Sequence, residues 1–411
     1  MIARTIFKEI LSSIDEKPVT IVTGARQVGK TTLVCQLEKL RGFSYVTLAN
    51  PILQEAAKAD PAGFLSLHPA PLIIDEVQKV PSLFGYLESE VDEKKRQGKK
   101  TGLYILTGSE AYKLLSGVTE SMRGRVSFIH MSPLSLSEIK EREEKPFKVD
   151  IKENAKRASS LKLQTLDIYD YIVRGFYPEL YDNKRLNPSI FYADYLESYL
   201  AKDVSDIIDI KNKSKFLNLL MLLASLSGEE LNYSSLSKAI GADTKTIQNW
   251  ISVLIAGDII FLLQPYNENS LTKQIVKRPK IYFCDTGLAC FLAKVGSKET
   301  LIASYLKGHM METFIVNEII KSYKNNRGEK AASFYYYRDS SQHEIDFIIL
   351  EDGKLNLLEC KAGEQYSSKD IASFKELSKS KFEIAGKAII CTTKEPYPLG
   401  EGAYALPISS I

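Results

Sequence analysis

With 411 residues the chain is too long for one compact core, and two or three domains are expected. Its 44% hydrophobic and 26% charged residues are ordinary for a soluble globular protein, and a net charge of +3 neither demands nor excludes nucleic acid. Five cysteines without a C-x-x-C pair and four scattered histidines offer no zinc framework and suit reduced thiols in the cytoplasm.

Met1 to Ile14 reads as a short amphipathic helix bearing Arg4, Lys8 and Glu9. It lacks the apolar core of a signal peptide, and no run approaches a membrane span. From Val19 to about Ser137 strand and helix patterns alternate. The short apolar runs Val19–Thr23, Phe43–Leu48, Pro71–Ile74 and Leu103–Thr107 read as strands of a parallel sheet covered by helices on both faces, an α/β fold. Between the first strand and a helix over Thr31–Glu38 stands Gly24-Ala25-Arg26-Gln27-Val28-Gly29-Lys30-Thr31-Thr32, which fits the phosphate-loop pattern G-x-x-x-x-G-K-[ST] in full. Glycines let such a backbone curl so that its N–H groups point inward at phosphate oxygens. Lys30 then reaches the terminal phosphates, and the Thr31 hydroxyl can hold Mg²⁺.

Leu72-Ile-Ile-Asp75-Glu76 puts two acids at the C-terminal end of a buried strand, where open parallel sheets place ligands. Asp75 would hold Mg²⁺ through water, and Glu76 would orient or deprotonate the attacking water. Thr107 or Ser109, ending the next strand, would sense the γ-phosphate; the same residues also read as a turn and a helix cap. Arg123 or Arg125 would stabilise charge on a transferred phosphoryl group, in cis or from a neighbouring subunit of a homo-oligomer, unless it is a plain surface arginine.

These motifs, together with Asn50-Pro51, Asp60-Pro61, Ser132-Pro-Leu-Ser-Leu-Ser-Glu138, Val173-Arg-Gly-Phe-Tyr-Pro-Glu179, Phe283-Cys-Asp-Thr-Gly-Leu288 and Glu344-Ile-Asp-Phe347, run the length of the chain. The set resembles the AAA-type ATPases of bacteria and archaea that carry a C-terminal domain of uncharacterised role. The resemblance implies binding and hydrolysis of ATP with Mg²⁺ over residues 1–140, and it supplies no substrate.

Glu138 to Lys162 is mostly charged and reads as a linker or exposed helices, opening a lid-like helical segment over 141–210 in which Tyr169 to Asp209 is Tyr-rich. Within 211–275, Leu231–Ile240 and Thr244–Leu254 read as two helices about a Gly241-Ala-Asp243 turn, followed by a strand over Ile259–Leu263. That is the order of a winged helix. Ile247, Trp250, Ile251 and Leu254 take the buried stripe, which leaves Lys245, Thr246, Gln248 and Asn249 outward. One lysine is thin for phosphate contact, so DNA binding and a protein-docking or structural role both stay open.

In 276–411, Glu344–Leu350 and Lys354–Lys361 flank Glu351-Asp352-Gly353, and Asp-Gly favours a two-residue hairpin turn. With that turn as the tip, Asp346 faces Glu359 and Glu344 faces Lys361. Opposed carboxylates repel, and a divalent cation between them would relieve the repulsion. Helical spacing puts Glu312 on the apolar face with Ile315, Val316 and Ile319, where a carboxylate needs a partner or a metal. The layout resembles the restriction-endonuclease-like α/β fold. That resemblance implies a second metal site at Glu312, Asp346 and Glu359, with Lys361 assisting an attacking water. A salt-bridge cluster without catalysis is the alternative.

The reading is an ATPase that drives or switches action on a nucleic-acid or protein partner. An ATP-gated, metal-dependent DNA nuclease and a non-hydrolysing nucleotide-switched binding module are the alternatives.

Overall fold

The computed structural model describes residues 2–108, 122, 124–161, 163–201, 212–268, 278–326 and 332–411. It divides into two compact units, Met1–Leu134 with Ala256–Asp258, and Ser135–Ile255 with Ile259–Ile411.

In the first unit the apolar runs become β1 (Val19–Thr23), β2 (Ser44–Thr47), β3 (Leu72–Asp75), β4 (Tyr104–Thr107) and β5 (Val126–His130). They form one parallel sheet in the order β2-β3-β4-β1-β5. Strands β1, β3 and β4 are buried throughout, because helices cover both faces of the sheet. Ile21, Ile74 and Leu106 pack with Leu83, Phe84, Leu87 and Val91 of the helix Leu83–Arg96 in a single core. The registers pair Ile74 with Leu106 and Val22 with Thr107, so the ends of β3, β4 and β1 come out side by side at one edge. The Asn-Pro and Asp-Pro pairs are helix starts. Asn50 Oδ1 accepts from the Ile52 N–H at 2.9 Å and Asp60 Oδ1 from the Gly63 N–H at 2.9 Å, each followed by proline in the first turn.

The second unit holds all three segments expected after residue 140, with no break at 275. The two helices Tyr233–Ile240 and Thr244–Ala256 lead into β6 (Ile260–Pro265), which pairs antiparallel with β7 (Lys280–Phe283). Ile247, Trp250, Ile251 and Leu254 are buried, and Lys245, Gln248 and Asn249 are exposed. Strand β6 also pairs in parallel with β8 (Ala332–Arg338), at Gln264–Tyr335 and Pro265–Tyr336. The helix-turn-helix hairpin is thereby part of one mixed sheet that continues through β9 (Glu344–Glu351), β10 (Lys354–Cys360), β11 (Glu383–Cys391), β13 (Ala403–Pro407) and β12 (Tyr397–Gly400).

The stretch 138–162, expected as a linker or exposed helices, includes the helix Ile151–Ser160 with Lys152, Glu153 and Lys156 exposed, but three residues ahead of it pack inward. Glu138 and Glu144 are buried, and so is Phe147. The Phe147 N–H donates to Ser322 Oγ at 3.0 Å, Asn325 Nδ2 donates to Glu144 Oε2 at 2.8 Å, and the Leu136 N–H donates to Glu318 Oε2 at 2.7 Å. All three partners lie on or beside the helix Lys307–Lys324.

Two motifs that carried the family resemblance form one joint. Asp285 is buried, and its carboxylate accepts from Tyr192 OH at 2.7 Å, the Phe176 N–H at 2.7 Å and the Leu288 N–H at 2.9 Å. A Cβ on Gly287 would stand 2.6 Å from Gly175 Cα and 2.3 Å from the Tyr192 hydroxyl, closer than any packed pair of atoms. Gly287→Ala is therefore expected to cost about 1–3 kcal/mol by overpacking. Urea unfolding of the full chain measures it, and an unchanged midpoint would show that the joint yields freely.

Candidate functional site

Strand β1 delivers the chain into Gly24, whose φ is 137°. A Cβ there would lie 2.1 Å from the Met131 carbonyl oxygen, so only glycine passes. The loop Gly24–Gly29 then curls back before the helix Lys30–Val34, which resumes after Cys35 as Gln36–Arg41. Arg4 braces the curl from outside, donating to the Val28 carbonyl at 2.8 Å and the Ser132 carbonyl at 2.6 Å. Lys30 is buried with its ammonium turned into the loop, donating to the carbonyls of Gly24 and Ala25 at 2.7 Å each. Burial pushes its pKa down to about 8, against the pull of Glu76.

Asp75 ends β3 as a buried carboxylate inside a ring of hydroxyls. Thr31 Oγ1 stands 3.2 and 3.3 Å from its two oxygens, Tyr45 OH donates at 3.0 Å, and Thr107 Oγ1 donates to Oδ1. Burial and the Asp75 charge raise the Tyr45 pKa, which keeps its phenol a donor. Glu76 follows in the left-handed region, at φ 57° and ψ 40°. The buried Gln78 holds it through Nε2–H to Glu76 Oε2. Thus Lys30, Thr31, Asp75, Glu76 and Thr107 gather at one sheet edge, with half-buried Arg26 and exposed Gln27 and Thr32 on the same loop.

Arg125 does not join them. It precedes β5, whose first residue pairs with Val19 at the start of β1, and so lies at the opposite edge of the sheet. Its guanidinium is held by Asp92 at 2.7 Å and Glu88 at 3.1 Å on the helix Leu83–Arg96. Ser109 and Arg123 fall outside the described residues. Tyr45, Gln78 and Arg4 were not anticipated. Tyr45 left no clear signal, because Ser44 and Thr47 in the same strand also carry hydroxyls.

The donor set suits a polyphosphate and its metal. A buried ammonium hydrogen-bonded to two loop carbonyls gains from a phosphate anion, and the oxygens of Thr31 and Asp75 are the hard ligands that Mg²⁺ takes.

In the second unit the β9–β10 hairpin has the expected register, from Lys354–Glu351 to Leu358–Phe347, and one further step sets Asp346 beside Glu359. Lys361 Nζ bridges them, 3.1 Å from Asp346 and 2.7 Å from Glu359. The Cys360 N–H donates to Asp346 at 2.9 Å. Glu312 enters from the helix Lys307–Lys324, accepting from Tyr282 OH at 2.6 Å. Sequence reasoning missed Lys280, the first residue of β7. It is 3% exposed, and its ammonium lies 3.0 Å from Glu312, 2.5 Å from Glu344 and 4.0 Å from Asp346. Its only signal was a lysine opening the apolar run Lys-Ile-Tyr-Phe. Burial raises the Glu312 pKa to about 7, and burial with the Asp346 charge raises that of Glu359. Burial also opposes charge on Asp346, but Lys361 and Lys280 outweigh it and hold that carboxyl low. Lys280, Glu312, Arg338, Glu344, Asp346 and Lys361 line a polar cleft of about 490 Å³.

A parallel sheet whose first strand feeds a glycine-lysine loop and whose third ends in Asp-Glu defines a P-loop nucleoside triphosphatase domain. Residues 16–140 match the family model described as "AAA domain", and the chain carries an AAA+-type P-loop ATPase domain. Residues 165–299 match "Domain of unknown function (DUF8612)", and 307–411 match "Domain of unknown function (DUF4143)". Uncharacterized protein Rv2008c of Mycobacterium tuberculosis is 23% identical over 395 residues, 96% of this chain and 81% of that protein. Uncharacterized protein MJ1637 of Methanocaldococcus jannaschii is 27% identical over 299 residues, 66% of this chain and 61% of its own length. Among solved structures, the Walker-type ATPase PABY2304 of Pyrococcus abyssi is 14% identical with a TM-score of 0.39, covering 70% of this chain and 94% of that one. Among the described residues no helix is long and apolar enough to cross a membrane.

Lys30 gives the site a pH signature. Its pKa of about 8 in the empty loop rises once an anion is bound, so ATP affinity should fall as pH climbs through 8 and the empty loop loses its proton. The slope should approach about tenfold per pH unit, one proton being linked to binding. Titration with a fluorescent ATP analogue on the alkaline side reads it, and a flat profile would contradict the assignment.

Proposed function

We propose that the first unit binds ATP with Mg²⁺ and hydrolyses it, and that this turnover drives or switches action on a nucleic-acid or protein partner. The observation that carries the reading is the convergence of the Lys30 ammonium, the Thr31 and Thr107 hydroxyls and the Asp75 carboxylate where β1, β3 and β4 end. In this reading the backbone of Gly24, Ala25, Arg26, Gln27, Val28, Gly29, Lys30, Thr31 and Thr32 cradles the phosphates. Lys30 exchanges its two carbonyl partners for phosphate oxygens. Thr31 and Asp75 hold Mg²⁺, which when bound neutralises charge on the β- and γ-oxygens. Thr107 reports the γ-phosphate to Asp75. Glu76 orients the attacking water, while Gln78 holds its Oε2. Arg125, tied to Asp92 and Glu88 at the far edge, takes no part from within the same chain.

The second unit supports a restriction-endonuclease-like arrangement, because Glu312, Asp346, Glu359 and Lys361 converge as that layout requires. The exposed Lys245, Gln248 and Asn249 of the helix-turn-helix form a candidate partner face, too weakly basic to favour DNA over protein.

Two variants test the ATPase reading. Lys30→Ala should abolish ATP binding. Glu76→Gln should keep binding and lose turnover by about 10²–10⁴-fold, the usual contribution of a positioned base. Undiminished hydrolysis by Lys30→Ala would end the proposal. Full turnover by Glu76→Gln would remove Glu76 from it. Capture with the ATP-loaded Glu76→Gln form then reports whether the partner is nucleic acid or protein.

A further inference from the structure

The cleft of the second unit has the carboxylates of a divalent-metal site, and it already contains a cation. Lys280 Nζ lies 3.0 Å from Glu312 and 2.5 Å from Glu344, within hydrogen-bond reach of both, and 4.0 Å from Asp346 as an ion pair only. We propose that Lys280 is a built-in substitute for a divalent metal, so that this cleft binds neither Mg²⁺ nor Mn²⁺ and serves as a metal-free recognition or structural site that cuts no phosphodiester.

Lys280 cannot easily step aside. It belongs to β7, where its backbone pairs with Leu263 of β6, its side chain is 3% exposed, and its ammonium stands 5.6 Å from the centre of the Tyr336 ring. The other side of Asp346 is closed as well. Oδ2 already accepts from Lys361 Nζ and the Cys360 N–H, and the same lysine takes Glu359 Oε2.

Glu312, Glu344 and Asp346 face Lys280, Asp346 and Glu359 face Lys361, and the Arg338 guanidinium lies 3.8 Å from Glu344. A divalent cation drawn to these carboxylates therefore meets cations of the protein already among them. Such an ion, ligated by Glu312, Glu344 and Asp346, would share its position with the ammonium, and like charges at that range repel strongly in a buried setting. Glu359 Oε1 is buried with no hydrogen-bond partner, one oxygen where Mg²⁺ demands a full octahedron. The inference does not depend on ATP hydrolysis by the first unit.

The test uses the full chain with Asp75→Asn throughout, so that the phosphate-loop site contributes no metal. Mn²⁺ binding is read by electron paramagnetic resonance, and the melting temperature is followed with and without Mn²⁺. The parent should bind no Mn²⁺ that depends on Asp346. Lys280→Met removes the ammonium at nearly constant volume and leaves the carboxylates free. It should melt lower than the parent, gain Mn²⁺ affinity by at least about 10–100-fold, the range over which a metal's neighbours tune it, and recover its melting temperature in Mn²⁺. Adding Asp346→Asn should cancel both the binding and the recovery. If Lys280→Met does not fold alone, refolding in Mn²⁺ decides: a regained fold supports the proposal and continued failure overturns it. Mn²⁺ binding by the parent that Asp346→Asn abolishes would overturn it directly, as would a folded Lys280→Met chain that binds no better than the parent.

Discussion

A charge taken out of water must find its partners inside the protein, and that constraint shapes both units. In the first, the Asp75 carboxylate is tolerable beneath the sheet edge because Thr31, Thr107 and Tyr45 each point a hydroxyl at it. The Lys30 ammonium leans on two loop carbonyls, and despite the pull of Glu76 its burial leaves it easily deprotonated. These two groups are the stressed members of the domain, and both would gain from a phosphate and its metal. A loop that is incompletely satisfied when empty has a reason to bind.

The second unit resolves the same constraint differently. Its buried carboxylates are matched by lysines of the protein itself, Lys361 from the hairpin and Lys280 from a strand more than sixty residues earlier, although Glu359 Oε1 is left without a hydrogen bond. The joint at Asp285 follows suit with neutral donors, two backbone amides and Tyr192. Buried ions matched in this way fix which strands lie next to which more than they add net stability.

Much of this was legible because it is local. The loop Gly24–Thr32, the acids closing β3 and the Asp-Gly hairpin each declare themselves within a dozen residues, and the hairpin register followed from its turn alone. The residues that escaped notice act across long separations. Arg4 reaches Ser132, and Lys280 reaches Glu344. Gln78 is the exception: it sits two residues from Glu76 and becomes meaningful only because Glu76 adopts a left-handed backbone, which composition does not disclose. The inward packing of Glu138, Glu144 and Phe147 escaped for a related reason. A run of charges looks solvated until the helix that supplies Ser322, Asn325 and Glu318 is folded against it. Arg125 shows the reverse error, a residue promising by chemistry and placed by the register at the wrong end of its strand.

Strand β6 carries hydrogen bonds on both flanks, to the strand that begins with Lys280 and to the strand that ends with Arg338. Lys280 and Arg338 both reach Glu344, at 2.5 and 3.8 Å, so the spacing that β6 imposes on its two flanking strands is the spacing at which two cations share one carboxylate.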